Sequence, residues 1–440
     1  MLAQTALEGF TEENRTRLYN LENVDRLNIG SFPFLSTQLN FLKLRAALMC
    51  MGIGPSDLSA EIAQLVNPSG EKRTGNVGIS AYVGKIRPPN LMNLPTSVVY
   101  KGIQRQDTDF TASSPFRLEG SLDEIVLTFQ EKKVLPIFLY PTPPWIERTT
   151  STGKPMTSFF LPEAGDNLMG AIRVNGGCEY FLEKQQCRFC GLDFIKGGDK
   201  KTPEEYAEVA VAAFEERPLT SSLTLTAGNT YTSLRGIENY LPVISAITQT
   251  INRSRLISNH PSIEIEASPP QMDDPESIKV LDALLEAGVT SMMSNLEQFS
   301  PIARQVALPG KSQIPISDYV RFFAYLKERG IPASSVLMVG LEDSDEEIIK
   351  GAQFLAQNGV YPVILPFRPR GAYANRLPTD PNRLYVVSME VAKIAVQYGV
   401  FPNKPGCAQC GGCSIDIQAT QLVKSIQARK PTYELDGARL

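Results

Sequence analysis

The sequence predicts an α/β protein whose centre is a partial (β/α)6 TIM barrel, flanked by two parts of different character. Between residues 166 and 375, short apolar strand patterns alternate with longer amphipathic helix patterns, which indicates parallel strands joined by crossover helices. Six such units with right-handed crossovers form an open relative of the (β/α)8 barrel. Residues 1–165 do not follow this alternation, and residues 376–440 contain a cysteine-rich segment. We therefore expect three domains with these boundaries.

Each barrel strand is predicted from a short apolar or alternating run that is followed by a helix pattern. The first helix, "TPEEYAEVAVAAFEERP", begins with Thr202 and Pro203 and carries glutamates in its first turn. Functional residues of such barrels lie at the C-terminal ends of the strands. The six strand patterns are "NLMGAIRVN", "SSLTLTAGN", "SIEIEAS", "TSMMSNLE", "SSVLMVG" and "YPVILPFRP".

Residues 1–165 are predicted to form an N-terminal α/β accessory domain that ends in a linker. "FLKLRAALMCMG" and "PSDLSAEIAQLV" have helical patterns, whereas "NVGISAYV", "TSVVYKG" and "EIVLTFQEKKVLPIFLY" have strand patterns. The proline-rich stretch "YPTPPWIERTTSTGKP" contains the single tryptophan, Trp145, and is interpreted as a linker or lid.

The composition is that of a soluble globular chain with little net charge. Of its 440 residues 42% are hydrophobic and 20% are charged, and the net charge of −4 gives no reason to expect nucleic acid as a partner. The first residues are too polar for a targeting peptide, and no apolar run reaches the ~18 residues of a membrane span. We expect a cytoplasmic protein with reduced thiols and no membrane partner.

Six of the seven cysteines fall into two groups of three. In a reducing compartment such groups bind metals more often than they form disulfides. The seventh, Cys50, lies in an apolar helical run and is interpreted as a buried small hydrophobic residue. The two groups are Cys178, Cys187 and Cys190, spaced C-x8-C-x2-C, and Cys407, Cys410 and Cys413, spaced C-x2-C-x2-C.

Three local thiolates per group favour iron–sulfur clusters over zinc. Structural zinc takes four ligands, and the only histidine, His260, is distant in sequence from both groups. Zinc would need a distant fourth ligand or a site that combines all six cysteines, and both arrangements stay open at this point. Ferredoxin-type clusters take four cysteines each. Three thiolates on a [4Fe–4S] cluster leave one iron open to a small molecule, which suits a catalyst.

The segment "CRFCGLDF", with Phe189 before its last cysteine, resembles the cluster loop of the radical S-adenosylmethionine (radical SAM) superfamily. That superfamily usually has C-x3-C-x2-C, and this chain has eight residues in the first gap. The resemblance implies a barrel of the radical SAM type and a [4Fe–4S] cluster on the first cysteine group. It also implies reductive cleavage of S-adenosylmethionine to a 5′-deoxyadenosyl radical, with an external donor such as flavodoxin or ferredoxin supplying the electron.

The later strand ends resemble the same superfamily, nearest to its lipoyl synthase and biotin synthase branch. The resemblance implies that "LTAGN" holds the amino group of the cofactor and that "IEIEAS" supplies a carboxylate to the ribose. It further implies an arginine on the cofactor carboxylate and main-chain contacts with adenine. The implied cofactor-binding residues are Phe189, Ala227, Gly228, Asn229, Glu266, Asn295, Arg304, Val339, Gly340 and Leu341. An ordinary βα turn and surface glutamates are alternatives for the first two stretches.

The second cysteine group predicts a C-terminal cluster-binding extension with an auxiliary [4Fe–4S] cluster. In the resembled branch such a cluster donates sulfur, which implies a sulfurtransferase that inserts sulfur into a small-molecule substrate. Lipoyl synthase itself differs, because its second cluster motif precedes the barrel and its C-terminal motif is absent here. Arg368, Arg370 and Glu297 are interpreted as substrate-binding residues, compatible with a nucleotide or sugar that carries phosphate or carboxylate.

Two other functions are compatible with the same sequence. The auxiliary cluster could relay electrons or anchor substrate in a radical SAM oxidoreductase or rearrangement enzyme. A non-catalytic zinc or iron–sulfur binding module is the alternative from a different class, and stoichiometric zinc without iron would favour it.

Overall fold

The computed structural model describes residues 33–52, 54, 56–58, 61, 78–83, 91–95, 114–139, 144–163, 167–172, 177–190, 201–216, 221–257, 260–369, 371–402, 406–410 and 413–429. Its strands are β1 (Gly78–Val83), β2 (Leu91–Pro95), β3 (Phe116–Ser121), β4 (Glu124–Phe129), β5 (Lys132–Leu139), β6 (Phe160–Glu163), β7 (Asn167–Ala171), β8 (Ser222–Thr226), β9 (Ser262–Glu266), β10 (Ser291–Met293), β11 (Ala333–Val339) and β12 (Tyr361–Pro366). Its α-helices are α1 (Pro33–Met51), α2 (Pro203–Glu216), α3 (Tyr240–Arg253), α4 (Pro275–Glu286), α5 (Pro301–Ala307), α6 (Ile316–Glu328), α7 (Asp345–Gln357), α8 (Pro381–Tyr398), α9 (Cys407–Cys410) and α10 (Asp416–Arg429).

The larger sheet confirms the six predicted parallel strands. Its order is β12-β11-β10-β9-β8-β7-β6, so consecutive parallel strands are neighbours and each crossover advances in the same direction. Only β6 runs antiparallel, against β7 at one edge. Among the described strands the sheet does not close on itself, which agrees with an open relative of the (β/α)8 barrel.

The barrel strands have one apolar face and one polar face. Leu223 and Leu225 of β8 and Ile263 and Ile265 of β9 are buried in the core cluster that also contains the crossover helices. Because side chains alternate along a strand, the other face of these strands carries serine, threonine and glutamate. The sequences "SLTLT" and "SIEIE" thus give each strand one polar face, and in the structure Thr224 and Glu264 of this face are buried.

Four helices after the strands begin with side-chain caps that the sequence encodes. Asp274, Ser300 and Asp380 each accept a main-chain N–H of the first turn, and a proline follows each of them. Ser344 and Glu347 form a reciprocal capping box at the start of α7. Each cap sets the first residue of its helix and therefore the end of the loop that precedes it. The candidate site is formed by loops of this kind.

The N-terminal residues form a five-stranded antiparallel sheet in the order β2-β1-β5-β4-β3. The β4–β5 hairpin turns at Gln130 and Glu131, whose φ angles of 47° and 67° match a two-residue turn of the primed type. Helix α1 instead packs on α8 and α10, and its Arg45 donates to the carbonyl of Ser414 at 3.2 Å. The predicted strand "TSVVYKG" and most of the predicted helix "PSDLSAEIAQLV" lie outside the described residues.

The linker interpretation of the stretch around Trp145 is wrong. Trp145 is fully buried in a short 3-10 helix, Pro144–Glu147, and belongs to the main hydrophobic core. Ser151 donates to Glu208 of α2 through both its main chain and its hydroxyl, which holds the stretch on the barrel. The prolines indicated an open segment because they disfavour regular helix and strand. The stretch nevertheless packs on the barrel, because burial of the large Trp145 ring is favourable.

No helix in the described part of the chain is both long enough and apolar enough to cross a membrane.

Candidate functional site

The first cysteine group lies on a loop at the C-terminal ends of the barrel strands. Cys178 immediately precedes a 3-10 helix, Glu179–Phe181, and the main-chain N–H of Cys190 donates to the carbonyl of Cys187 at 3.0 Å. The three thiols are half-buried, and none of the cysteine side chains that the structure describes forms a disulfide. The loop follows β7, as the sequence predicted.

Two glycines let neighbouring loops approach this cysteine loop closely. A Cβ atom at Gly228 would lie 2.4 Å from the main-chain nitrogen of Cys178, so any larger residue would displace the loop. A Cβ atom at Gly310 would lie 2.7 Å from the ring of Tyr180. Main-chain hydrogen bonds reinforce both approaches, from Glu179 to Asn229 at 2.8 Å and from Gly310 to Gln185 at 2.8 Å.

Burial makes the thiols of Cys178 and Cys187 hard to ionise in the metal-free chain. Burial raises the pKa of Cys178, and main-chain hydrogen bonds at Asn229 and Tyr180 oppose that effect. The pKa of Cys187 is raised well above its usual range, first by burial and then by the Glu297 carboxylate, while Lys311 opposes both. A bound metal ion would supply the positive charge that stabilises thiolates here.

Lys311 is a site residue that the sequence reasoning missed. Its Nζ lies 2.7 Å from Oε1 of Glu297, and each side chain is about one tenth exposed. Burial is the largest single effect and lowers the pKa of Lys311, but the Glu297 carboxylate together with Tyr319 and Cys187 outweighs it, so the net pKa is raised. In sequence Lys311 is an isolated lysine in a Pro-Gly turn, with no spacing that would separate it from a surface residue.

Glu297, predicted as a substrate ligand, lies at the edge of this site in a strained conformation. Its φ is 56°, which is uncommon for a residue with a side chain, and strand β11 holds it through main-chain bonds at Val336 and Met338. Its Oε2 atom is buried without a hydrogen-bond partner among the described residues. One carboxylate oxygen is thus paired with Lys311, and the second is an acceptor still to be satisfied.

Glu266 and Asn295 are brought together by the structure. The Asn295 amide donates to the Glu266 carboxylate, and its oxygen accepts the N–H of Val336 at 2.9 Å, which links β9, β10 and β11. The Tyr240 hydroxyl donates to the carbonyl of Glu266. Burial raises the pKa of Glu266, and Lys311 opposes this effect. Asn295 therefore fixes the orientation of the Glu266 carboxylate.

The turn after β8 is adjacent to the cysteine loop. Ala227 and Gly228 are half-buried, and Gly228 touches Cys178. The side chain of Asn229 donates to Ser268 at 2.9 Å, and its carbonyl accepts from Glu179. Phe189 is half-buried on the cysteine loop itself.

Arg304 is held by main-chain carbonyl groups. It is 3% exposed, and its guanidinium donates to the carbonyls of Leu296 at 3.1 Å and Lys311 at 3.2 Å. The guanidinium also lies 5.4 Å from the ring centroid of Tyr319. Arg304 thus ties together the two segments that carry Glu297 and Lys311, and its carboxylate clamp remains a prediction.

The end of β11 forms a tight turn, and the main-chain carbonyl of Val339 there already accepts two hydrogen bonds. The carbonyl of Val339 accepts from the N–H of Phe367 at 2.7 Å and from the Thr379 hydroxyl at 2.6 Å. Gly340 has a φ of 94°, and Leu341 is 9% exposed. The contact of these residues with adenine remains a prediction.

Of the two arginines after β12, Arg368 lies in the part of the chain that the structure describes. Arg368 is 8% exposed, and its Nε donates to the carbonyl of Met49 in α1 at 2.9 Å. Arg368 therefore anchors the N-terminal helix to the barrel, and its contact with substrate is untested. Arg370 lies outside the described residues.

The C-terminal cysteine segment reaches the barrel strands. The main-chain N–H of Cys407 donates to Oε2 of Glu264 at 2.6 Å, and Gly406 is buried against the same carboxylate. Cys407 and Cys413 are half-buried, and the side chain of Cys410 lies outside the described residues. The sequence reasoning gave Glu264 no role.

The donor set of the first group fits an iron–sulfur cluster. Three thiols lie on one loop within thirteen residues, and Cys190 and Cys178 both influence the pKa of Cys187, so the thiols share one electrostatic environment. Across the part of the chain that the structure describes, no three cysteine, histidine, aspartate or glutamate side chains converge tightly enough to hold a single metal ion. The thiols thus lie near one another on the loop, but they do not converge tightly enough to hold a single metal ion.

A family model described as the radical SAM superfamily matches residues 173–355. This range begins just before the cysteine loop and ends in α7, so it contains four of the six parallel-strand ends and every predicted cofactor-binding residue. No curated protein sequence matches the chain.

Several solved structures resemble the fold. SuiB from Streptococcus suis, bound to the precursor peptide SuiA, is 14% identical; the match covers 57% of this chain and 51% of that one, with a TM-score of 0.40. Coproporphyrinogen III oxidase (HemN) from Escherichia coli, described as a radical SAM enzyme, is 16% identical over 53% and 52%, with a TM-score of 0.36. The methyltransferase TsrM from Kitasatospora setae is 14% identical over 47% and 38%, with a TM-score of 0.34. The chain thus spans about half the length of the first two.

Proposed function

Because residues 173–355 form a radical SAM domain, we propose that this protein is an enzyme that cleaves S-adenosylmethionine reductively and removes a hydrogen atom from its substrate. The observation that carries the proposal is the three-cysteine loop at the strand ends, adjacent to the turn at Gly228 and to the Lys311–Glu297 pair. When bound, the cluster and S-adenosylmethionine supply electron transfer and the 5′-deoxyadenosyl radical. The chain itself supplies binding, orientation and exclusion of water.

Cys178, Cys187 and Cys190 would hold the cluster, and the surrounding residues would hold the cofactor. Glu266 is suited to accept hydrogen bonds from ribose hydroxyls, because Asn295 fixes its carboxylate at the end of β9. The buried Oε2 of Glu297 offers a second acceptor. Asn229 and Gly228 lie where main-chain groups can meet an amino group beside Cys178.

Lys311 adds a cation for the carboxylate of the cofactor. Arg304 is bound to carbonyls of its own loops, whereas the ammonium of Lys311 is paired with Glu297 and influences the pKa of both Cys178 and Cys187. The carboxylate of S-adenosylmethionine, when bound at the cluster, would lie close to the Lys311 ammonium. Lys311 is therefore proposed for this contact, and Arg304 is proposed to support the loop that carries Lys311.

Cys407, Cys410 and Cys413 would hold a second cluster, which would supply sulfide for insertion at the carbon that has lost hydrogen; as the C–S bond formed, the sulfide would leave the cluster iron, which would accept one electron. The support for this reaction is the second three-cysteine group together with the Cys407–Glu264 bond, which places this segment against a barrel strand. The proposed substrate is a small molecule, and an external flavodoxin- or ferredoxin-type donor supplies electrons.

The radical step is tested without knowledge of the substrate. Anaerobically reconstituted protein is incubated with S-adenosylmethionine and dithionite, and 5′-deoxyadenosine and methionine are measured by mass spectrometry. Formation of both products by wild type and not by Cys187→Ala supports the proposal, and equal amounts from both proteins contradict it. Sulfur insertion is tested by reconstitution with ³⁴S-sulfide and incubation with a small-molecule extract. Label that never enters any compound contradicts sulfur insertion and leaves the radical step standing.

A further inference from the structure

We propose that Glu264 is a positioning residue that seats the C-terminal cysteine segment in the barrel interior. Glu264 lies in the middle of β9 and is 3% exposed. On the same face of the neighbouring strands, Thr224 donates to its Oε2 at 3.1 Å and Ser291 lies 3.4 Å from its Oε1. A carboxylate buried this deeply persists only where hydrogen-bond donors surround it.

The strongest of these donors comes from the C-terminal segment. The main-chain N–H of Cys407 lies 2.6 Å from Oε2 of Glu264, 143 residues away in sequence. The preceding residue, Gly406, is buried so closely that a Cβ atom there would lie 2.8 Å from Oε1 and 2.9 Å from Cδ of the same carboxylate. We call this contact the seat of the segment: the main-chain N–H of Cys407 donates to Glu264, and Gly406 leaves room for the carboxylate.

This seat belongs to a polar layer that spans four strands. Ser222 donates to Asn167 at 2.7 Å, and Asn167 donates to Thr224 at 3.1 Å, which in turn donates to Glu264. In register, Glu264 pairs with Thr224 on one side and with Ser291 on the other. The bonds run from β7 through β8 and β9 to the amide of Cys407, so the barrel itself holds the start of the second cysteine group.

The seat places the two cysteine groups at different levels of one barrel. Glu266, beside the first group, ends β9, and Glu264 precedes it on the same face by two residues, about 7 Å nearer the N-terminal ends of the strands. Lys311 and Glu266 connect the first group to this strand, and Glu264 connects the second. If the C-terminal cysteines hold a second cluster, this contact would place that cluster next to the space where the substrate reacts. This part of the inference rests on the proposed function.

Glu264 is assigned as a positioning residue and not as a metal ligand. Its Oε2 already accepts the Cys407 amide and the Thr224 hydroxyl, and within the described side chains it does not converge with cysteines into a metal-binding group. The contact that the structure shows is therefore with the main chain that carries the cysteine.

The test measures how well Cys407 is held, in the full chain without metal. Cys407 alkylation by iodoacetamide is followed by peptide mass spectrometry in wild type, Glu264→Ala, Glu264→Gln and Ser222→Ala. Losing the seat is expected to speed alkylation roughly tenfold in Glu264→Ala. Glu264→Gln keeps an acceptor oxygen and is expected to behave as wild type. Ser222→Ala is the matched control, because it removes a bond of the same layer that does not touch Cys407.

A second variant keeps the test valid if Glu264→Ala fails to fold. Gly406→Ala leaves every barrel side chain in place and is expected to speed alkylation similarly, because its Cβ would press on the Glu264 carboxylate. Adding Gly406→Ala to Glu264→Ala should then have little further effect. Equal alkylation rates in Glu264→Ala and Ser222→Ala, or additive effects in the double variant, would overturn the proposal.

Iron content separates this proposal from the proposed second cluster. In a Cys178→Ala/Cys187→Ala/Cys190→Ala background, bound iron reports on the C-terminal group alone. About four irons per chain, at least halved by Glu264→Ala and unchanged by Ser222→Ala, would support both proposals. No iron in the background would remove the second cluster, and the alkylation rates would still decide whether Glu264 seats the segment.

Discussion

The two cysteine groups of this chain have the same number of thiols and different surroundings. The first lies on a loop that neighbouring loops hold through main-chain hydrogen bonds, and an ion pair of side chains, Lys311 with Glu297, lies beside Cys187. The second is held through its main chain, by the bond from Cys407 to Glu264. A cation next to thiols stabilises the negative charge of a bound cluster. A main-chain hydrogen bond fixes the position of the segment and leaves its thiol groups available to bind a metal. The comparison teaches that cysteine spacing alone does not define the role of a group.

The largest expected difference concerns S-adenosylmethionine cleavage. Cys187→Ala should lower the rate of 5′-deoxyadenosine formation at least ~100-fold, because removing a ligand costs more than removing the residues behind it. Cys413→Ala should keep most of this rate. Cys50→Ala, in the buried helix α1, serves as the control for general effects of losing a thiol. Equal losses in Cys187→Ala and Cys413→Ala would remove the distinction between the groups.

Breaking the ion pair of the first region should cost most in stability. Lys311→Met leaves the Glu297 carboxylate buried and unpaired, so the free energy of unfolding should fall by about 3–5 kcal/mol in urea titrations. Lys311→Met/Glu297→Gln should recover part of that loss. The exposed Lys279→Met is the control, since its ion pair with Glu276 is solvated. A loss no larger than that of the control would show that the pair is not buried as described.

The two regions should respond differently to pH. The raised pKa of Lys311 means that its contribution is fully present below about pH 10.4, the unfolded value, and is lost only as pH rises through the folded pKa. The stability difference between wild type and Lys311→Met/Glu297→Gln, in which no unpaired carboxylate is left to titrate, should therefore stay constant from pH 6 to 9. A change of more than about 1 kcal/mol across that interval would contradict this.

Asp416, in the C-terminal region, should give a pH-dependent difference. It is 3% exposed, and burial raises its pKa to about 7, so the folded state keeps a proton that the unfolded state loses above about pH 4. Stability relative to Asp416→Asn should thus fall by up to about 4 kcal/mol as pH rises from 4 to 7, and then level off. Asn can still accept the N–H of Ile364. Parallel unfolding curves for the two proteins at pH 5 and pH 7.5 would contradict the burial of this carboxylate.

The smallest expected effect concerns Arg368, which joins α1 to the barrel. Arg368→Met should lower the free energy of unfolding by about 1–3 kcal/mol, because the carbonyl of Met49 loses a charged donor. Amide hydrogen exchange in α1 should rise, whereas exchange in β8 should not. Unchanged exchange in α1, combined with weaker substrate binding, would favour the contact with substrate predicted from the sequence.

The barrel could be predicted because its signals are local. Alternating apolar and polar residues in "SLTLT" and "SIEIE", and the capping residues before α4, α5, α7 and α8, depend on neighbours within a few positions. The first cysteine group was also evident, since three thiols in thirteen residues need no knowledge of the fold.

The contacts that complete the site could not be predicted because they join distant parts of the chain. Cys407 meets Glu264 across 143 residues, and Arg368 meets Met49 across 319. Glu264 has the same pattern as Glu266 in sequence, yet only the folded chain shows that the Glu266 carboxylate accepts from Asn295 and the Glu264 carboxylate accepts from the main chain of Cys407. Arg304 and Lys311 illustrate the same limit, since both are basic residues near a strand end and only packing separates a carbonyl-bound guanidinium from a cation beside the thiols.

The central claim is that one barrel carries two cysteine groups with separate tasks. It is tested most directly by iron per chain and 5′-deoxyadenosine formation, measured together after anaerobic reconstitution. The proteins are wild type, Cys178→Ala/Cys187→Ala/Cys190→Ala and Cys407→Ala/Cys410→Ala/Cys413→Ala. The account predicts about eight irons in wild type and about four in each variant, with cleavage of S-adenosylmethionine lost only in the first variant. About four irons in wild type, unchanged when the C-terminal cysteines are replaced, would contradict it.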